Sequence, residues 1–172
     1  GNMILYAKYE SSPVEVSDNT FPDDVFRQII QDNFSTSENG IYYLDWEKVL
    51  QEDPFNYNES LLRNKDIQSL KGLEYFSNLK YLDVKNTNIS ELSLSCNAAL
   101  NTLNCCNCSL LTKISGLSEL KSLSELYCGY SPLKILDISN NTALKYLWCP
   151  NNQLTNLDVN NNYALSSLFC SD

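Results

Sequence analysis

The feature that most constrains this chain is a leucine pattern that recurs through its C-terminal two thirds. The pattern Leu-x-x-Leu-x-apolar occurs five times, and its first leucines are 21, 23, 21 and 21 residues apart. The five copies begin at Leu79, Leu100, Leu123, Leu144 and Leu165. Repetition at such a period indicates a solenoid, because a single copy cannot bury its leucines whereas stacked copies share one core. A degenerate earlier copy is predicted from Tyr57 through Leu62 to Ile67.

Each copy is predicted to contain one short strand, because its apolar residues alternate with a period of two. In the fourth copy Leu147 and Cys149 would point into the core, and Trp148 would point to the opposite face. Parallel strands about 4.8 Å apart would then form a sheet along the concave side. The return segments "NNTA" and "NNYA" are too short for full helices, and asparagine suits their tight turns. A further core residue is expected ten positions after each of the first four starts: Ile89, Leu110, Leu133 and Leu154.

These copies resemble the leucine-rich repeat family, whose pattern is L-x-x-L-x-L-x-x-N/C-x-L, over roughly residues 57–172. The position that the family fills with Asn or Cys holds Thr87, Cys108, Ser131 and Asn152. The stretches "LDISNNTAL" and "LDVNNNYAL" are similar to repeats of bacterial cell-surface antigens, and "ISGLSELKSLSEL" is similar to the internalin type. The resemblance implies an α/β-type solenoid, a right-handed superhelix with a concave parallel β-sheet and short irregular returns.

The same resemblance implies an exported or cell-surface bacterial protein that binds a protein, a peptide or a glycan without catalysis. The first ten residues, "GNMILYAKYE", lack the features of a signal peptide, so any signal or anchor is expected outside this sequence. The net charge of −9 argues against nucleic acid as a partner. No apolar run approaches the roughly 20 residues of a membrane helix, so membrane insertion is not expected.

Residues 1–56 break the period and are predicted to form an N-terminal segment and a helical cap. The stretch "TFPDDVFRQIIQDNF" predicts a helix with Thr20 or Phe21 as its N-cap and Pro22 in its first turn. A second short helix is expected to begin near Asp45 and to end before Pro54.

An Asn39-Gly40 turn between the two predicted helices gives a degenerate EF-hand-like helix–turn–helix. Calcium is not expected there, because Ser35 and Trp46 fill the first and last ligand positions of such a loop, and neither carries a carboxylate. The predicted role of the segment is to cover the first repeat's core, as the end of a solenoid requires.

Seven cysteines and no histidine exclude Cys-His and Ser-His-Asp catalysis. Cys105, Cys128, Cys149 and Cys170 share one inward position and predict a core ladder of reduced thiols. Disulfides along the ladder are a less favoured alternative, and the redox state of Cys96, Cys106 and Cys108 stays open. Cys106 falls on the opposite face and is expected to be exposed, whereas Cys108 is expected to be structural. A straight ladder does not converge on an ion, so neither a metal site nor a cofactor is predicted.

The outward positions of the last three copies are aromatic. The predicted ligand-binding residues of the concave face are Tyr81, Tyr127, Tyr130, Tyr146, Trp148 and Phe169. An exposed aromatic patch is typical of a recognition surface. The rings could instead stabilise the sheet, since aromatic residues favour strands. The earlier copies, with Asp83, Thr102 and Asn104 at outward positions, are expected to form an ordinary solvated surface.

Two other functions stay open at this point. A homodimer could bury the aromatic face together with the edge of the last strand, since unpaired strand edges can pair with another chain. A carboxylate-dependent hydrolase is the remoter alternative. Its candidate carboxylates, Asp137 and Asp158, lie in return segments, where capping a turn is the simpler role. No catalytic residue is therefore predicted.

Overall fold

The computed structural model describes residues 13–51, 54–55 and 60–171. Its N-terminal part contains helix α1 (Asp24–Phe34), strands β1 (Ser35–Glu38) and β2 (Ile41–Leu44), and the short helix α2 (Trp46–Val49). Tyr57, the expected start of the degenerate copy, lies outside the described residues. Leu62 and Ile67 of that copy are fully buried.

Helix α1 begins later than the sequence predicts, because Asp23 is its N-cap. The prediction of Thr20 or Phe21 as the cap is wrong. Asp23 Oδ1 accepts the Phe26 N–H at 2.9 Å, and its Oδ2 accepts the Gln68 N–H at 2.6 Å. One carboxylate therefore satisfies the helix end and ties it to the first part of the solenoid. Phe21 instead lies fully buried in the core.

The Asn39-Gly40 turn joins two antiparallel strands, which the helix–turn–helix interpretation missed. Both residues have positive φ, 51° and 81°, as a primed hairpin turn requires. The register pairs Ser35 with Leu44. Helix α2 follows directly with Asp45 as its N-cap, close to the predicted start, and it ends at Val49, before Pro54 as predicted.

Aromatic rings pack the N-terminal part onto the first turn of the solenoid. The ring centroids of Phe34 and Phe76 are 5.4 Å apart, and those of Phe55 and Phe76 are 4.8 Å apart. Phe26 and Phe76 are fully buried. Edge and tilted ring pairs of this kind stabilise a core beyond the area that they bury. This end of the repeat core is therefore closed.

The concave sheet has the predicted parallel register. Its strands, in spatial order, are β3 (Tyr81–Asp83), β5 (Thr102–Asn104), β7 (Glu125–Tyr127), β8 (Tyr146–Trp148) and β9 (Ser167–Phe169). The second leucine of each copy is paired with its equivalent in the next copy. The leucine-rich repeat solenoid with a small helix before it is thus confirmed.

The return side is irregular, as predicted. Its regular elements are two short paired strands, β4 (Glu91–Ser93) and β6 (Lys113–Ser115), and the 3-10 helices Leu73–Tyr75 and Leu117–Glu119. The core position predicted for Leu110 is wrong, because Leu110 is 53% exposed and Leu111 is fully buried in its place. The two extra residues of this longest copy shift the register of its return.

Buried asparagines connect successive return segments, a feature that the sequence analysis missed. Asn97, Asn141 and Asn162 each donate two hydrogen bonds to carbonyls 21 and 24 residues earlier. Asn141 Nδ2, for example, lies 2.9 Å from the carbonyl oxygens of Leu117 and Leu120. The same carbonyls also accept N–H groups within their own turns, so each amide adds a second hydrogen bond to them and ties one return segment to the next.

The side chains at the family's Asn or Cys position also bind the backbone. Asn152 Nδ2 lies 3.0 Å from the carbonyl oxygens of Cys128 and Cys149, and Ser131 Oγ lies 3.3 Å from that of Cys105. Thr87 binds the carbonyl of the residue three before it. These bonds satisfy backbone carbonyl groups where the chain leaves the concave sheet.

Among the described helices, none combines the length and apolar character needed to cross a bilayer.

Candidate functional site

The concave face carries a group of five rings, here called the concave aromatic cluster: Tyr127, Tyr130, Tyr146, Trp148 and Phe169. The register places Tyr127, Trp148 and Phe169 in one row across β7, β8 and β9. Ring centroids are 5.3 Å apart in the pair Tyr127–Tyr146, 6.0 Å in Tyr146–Phe169 and 5.6 Å in Tyr130–Trp148. These contacts run diagonally between rungs, and all three pairs are tilted.

Trp148 is fixed against the backbone of the preceding turn at Gly129. A Cβ atom at Gly129 would lie 2.6 Å from Trp148 Cζ3 and 2.8 Å from Pro150 Cδ. No side chain fits there while the indole keeps its position. The absence of a Cβ at Gly129 therefore makes room for the indole beside Tyr130.

We expect Gly129→Ala to displace the indole and to break the Tyr130–Trp148 contact. Loss of that ring pair would cost about 1 kcal/mol of stability, and the emission of Trp148 would shift. The measurement is tryptophan fluorescence together with urea unfolding. Gly40→Ala is no suitable control because its φ is positive, so Ser167→Ala, at a half-buried position of β9, serves instead. Unchanged emission of Gly129→Ala would show that the indole does not depend on this contact.

Tyr130 has a backbone conformation that the other turns give to asparagine. Its φ is 57°, in the left-handed region. The equivalent residues, with φ between 53° and 59°, are Asn64, Asn86, Asn107 and Asn151. Asparagine tolerates this region, whereas a bulky residue is strained there by about 1–3 kcal/mol. Tyr130 is also 51% exposed, so core packing does not account for the tyrosine.

Tyr130→Asn is therefore expected to raise the free energy of unfolding by about 1 kcal/mol, since relief of backbone strain exceeds the lost ring contact. Asn151→Tyr makes the reverse change one turn later and should lower it by a similar amount. Both values come from urea unfolding. A destabilised Tyr130→Asn variant would mean that the tyrosine serves the fold rather than a ligand.

A hollow of about 500 Å³ lies beside the concave aromatic cluster. It is lined by Lys85, Asn104, Cys106, Asn107, Tyr127, Tyr130, Tyr146 and Trp148. Lys85 is the one charged residue in this lining, and it forms no ion pair with any residue that the structure describes. The hollow thus combines aromatic rings, amide groups and one cation.

Asp83, at the N-terminal end of this face, is buried rather than solvated, so that expectation is wrong. The Arg63 guanidinium forms an ion pair with its carboxylate, with Nε 2.9 Å from Oδ2. The Lys85 N–H donates to Oδ1 at 2.9 Å, and the Tyr81 hydroxyl lies 3.4 Å from Oδ2. Hydrogen bonding to Asp83 raises the pKa of Arg63. Tyr81, a predicted ligand residue, is half-buried beside this ion pair rather than in the hollow.

The negative charge of the chain does not lie on the solenoid. Residues 1–59 contain three Lys or Arg and twelve Asp or Glu, whereas residues 60–171 contain nine and eight. The net charge of the solenoid is therefore close to zero. Since the solenoid has almost no net charge, its surface repels anions only weakly at long range, and the charged side chains of the concave face act mainly on groups close to them.

The structure places three of the four predicted ladder cysteines in the core. Cys105 and Cys128 are fully buried and Cys149 nearly so, whereas Cys170, in the last described turn, is exposed. The exposure expected for Cys106 is wrong, because its side chain is 5% exposed at the wall of the hollow. All seven cysteines are free thiols.

Burial sets the chemistry of these thiols. It raises the pKa of Cys106 and of Cys149 to about 11, and it raises the pKa of Cys105 and Cys128 well above the usual value. We expect a thiol reagent at pH 8 to label the two exposed cysteines, Cys96 and Cys170, and to spare the other five until unfolding.

The same pKa shifts predict that the folded chain loses stability at alkaline pH. Each buried thiol holds its proton more tightly in the folded chain, so its stabilising effect is complete below pH 9 and is lost as the pH rises toward 11. Urea unfolding between pH 9 and pH 11 should therefore show that the free energy of unfolding falls more steeply with pH in the parent chain than in the Cys149→Ala variant. Equal slopes would contradict burial of that thiol.

The carboxylates of the hydrolase alternative cap turns. Asp137 Oδ1 accepts the backbone N–H of Ser139 at 3.0 Å and its hydroxyl at 2.7 Å. These bonds lower the pKa of Asp137. Asp158 accepts the N–H of Asn160 at 2.9 Å in the same way. The two residues thus have the turn-capping role expected of them.

Strand register, inward leucines and backbone-capping side chains give this chain the fold of a leucine-rich repeat solenoid. No protein-family model and no curated protein matches it. Solved structures similar to it include a functional domain of InlJ from Listeria monocytogenes, described as including a cysteine ladder, with 21% identity and a TM-score of 0.39. Another is the internalin InlF of Listeria monocytogenes strain 4b F2365, with 20% identity and a TM-score of 0.48. They cover 93% and 91% of this chain, which spans about half of theirs, 48% and 52%.

Proposed function

We propose that this chain is a non-catalytic binding module of an exported or surface-attached bacterial protein, and that the concave aromatic cluster holds its macromolecular ligand. The observation that carries the proposal is the strained Tyr130, whose ring packs at a tilt against Trp148 in the lining of the hollow. Backbone strain that no packing requirement explains is concentrated at functional sites.

The geometry suits recognition by a rigid surface. Strands β3, β5, β7 and β8 each carry a fully buried leucine, and β9 is paired with β8, so the outward rings are held on fixed backbone. Gly129 and Tyr146 then restrict the rings themselves. Binding to a preformed surface avoids much of the ordering cost of association. Partly buried tyrosine and tryptophan are also the residues that most often dominate binding energy.

An array of purified host-surface proteins and glycans tests the proposal. The parent chain is compared with a concave variant that replaces Tyr127, Tyr146, Trp148 and Phe169 by alanine. Tyr163→Ala is the matched control, because Tyr163 is 87% exposed in a return segment outside the concave sheet. We expect partners that bind the parent and the control but are lost by the concave variant. Partners that bind all three equally would refute a role for this face.

Self-association through the same face is the second candidate. Leu168 and Phe169 are 40% and 51% exposed on β9, the last described strand of the sheet. Sedimentation at micromolar concentration separates the two functions. A parent dimer that Trp148→Ala converts to a monomer would favour self-association, whereas monomers in both cases would leave the face free for another partner.

A further inference from the structure

We propose that the hollow is a subsite for an acidic oligosaccharide, with a sugar ring against Tyr130 and Trp148 and a carboxylate at Lys85. This inference rests on the proposed function, because it names the class of ligand for that same face. Three features of the lining carry it: an isolated cation, a preformed aromatic platform, and polar groups that are side-chain amides.

The cation is available to a ligand. Lys85 is half-exposed, and no carboxylate of the described residues pairs with it. The carboxylate of Asp83 beneath it is already neutralised by Arg63. Glu125 lies outside the lining and accepts a hydrogen bond from the Tyr127 hydroxyl at 3.0 Å. The net local charge at this end of the hollow is therefore positive, and it attracts an anion.

The platform at the other end is built in advance. Gly129 gives the indole room, and the left-handed backbone of Tyr130 brings its ring to 5.6 Å from that of Trp148. Ring faces of this kind stack on the apolar faces of sugar rings and leave hydroxyl groups free at the edges. Between platform and cation, the exposed amide of Asn107 supplies donors and acceptors for those hydroxyl groups. The amide of Asn104 already binds Asp83 and the Cys106 N–H, which leaves it one further N–H and one further acceptor position.

The spacing sets the length of the ligand. Lys85, Asn107 and Tyr130 lie on three successive turns, and adjacent strands are about 4.8 Å apart. The carboxylate and the stacked ring are therefore about 10 Å apart along the sheet. That span exceeds one sugar ring, so at least two linked units are required.

The lining favours a glycan over a peptide. Extended peptides gain affinity by pairing their backbone with a strand edge. The strands beneath the hollow, β5, β7 and β8, are each paired on both sides and offer no such edge. A peptide would leave its own amides without backbone partners there, whereas sugar hydroxyl groups can use the asparagine amides.

The test is a fluorescence titration of a Trp46→Phe variant, which leaves Trp148 as the sole tryptophan of the chain. The probes are trigalacturonate, its fully methyl-esterified form, galacturonate monomer and hexaglutamate. We expect trigalacturonate to change the emission of Trp148. The methyl ester should bind about tenfold more weakly, because it loses a charge-assisted hydrogen bond. Lys85→Gln should weaken the binding of trigalacturonate by the same factor and leave the binding of the ester unchanged.

Three results would overturn the inference: no binding of trigalacturonate, equal binding of the ester, or equal binding of hexaglutamate. A preserved unfolding midpoint shows that Lys85→Gln still folds, and Lys145→Gln, an exposed lysine outside the lining, is the matched control. Failure here is distinct from failure of the proposed function. An array partner that depends on the concave aromatic cluster would sustain that function even if no acidic saccharide binds.

Discussion

Replacing Arg63 with methionine is expected to lower the free energy of unfolding by about 3 kcal/mol. The substitution removes the guanidinium that faces the Asp83 carboxylate, whose side chain is completely buried. Hydrogen bonds from Lys85 N–H and Asn104 would remain, but they do not neutralise the charge. An unpaired charge inside a protein costs several kcal/mol, which makes this one of the largest effects of any single change in the chain.

A double-mutant cycle separates the charge from the packing. Asp83→Asn keeps an oxygen for the Lys85 N–H and removes the negative charge. The double variant of Arg63→Met with Asp83→Asn should therefore be more stable than Arg63→Met alone. Urea unfolding of the four proteins gives the coupling energy. If the second change brings no recovery, the ion pair does not have the role assigned to it.

Asn141→Ala is expected to cost about 2 kcal/mol, because it removes two buried hydrogen bonds, from Asn141 Nδ2 to the carbonyl oxygens of Leu117 and Leu120, each worth about 1 kcal/mol. The loss of unfolding free energy would be larger if the oxygen of the Asn141 amide were also hydrogen-bonded. Asn141 Oδ1, however, accepts no hydrogen bond from the described residues, and removing that buried oxygen offsets part of the cost.

The neighbouring residue provides a matched control for this prediction. Asn140 is exposed, and its side chain contacts only Ser139 and Lys121 among the described residues. Asn140→Ala should change the free energy of unfolding by less than about 0.5 kcal/mol. Both variants are compared with the parent by urea unfolding. Similar values for the two would contradict the importance of the buried amide.

The repeat was predictable because the spacing of its leucines recurs from one copy to the next along the sequence. Alternation assigned Leu147 to the core and Trp148 to the concave face, and the register of β8 agrees. The hairpin at Asn39 was missed because the Asn-Gly signal was interpreted inside a helical frame. The strand propensity of the residues after Gly40, "IYYL", was the signal that favoured β-structure.

Other features depend on pairs of residues that are far apart in sequence. Asp83 occupies the same repeat position as Trp148, and its buried charge is neutralised by Arg63, which lies twenty residues earlier. The fit of Trp148 against Gly129 likewise joins two turns.

The row of buried asparagines that connects successive return segments was predictable in principle. Asparagine precedes the first leucine by three residues in three of the five copies, at Asn97, Asn141 and Asn162. The pattern was interpreted as turn chemistry alone. Turn propensity explains an exposed asparagine equally well, so its burial follows only from the stacking of one return on the next.

The central claim is that the concave aromatic cluster is the surface that meets the ligand. The most direct measurement is amide chemical-shift mapping of the labelled chain with its tightest partner from the array. We predict perturbations concentrated in β7, β8 and β9 and around Lys85 and Asn107. Perturbations concentrated instead on the return side, in residues 113–118 and 134–139, would contradict the claim.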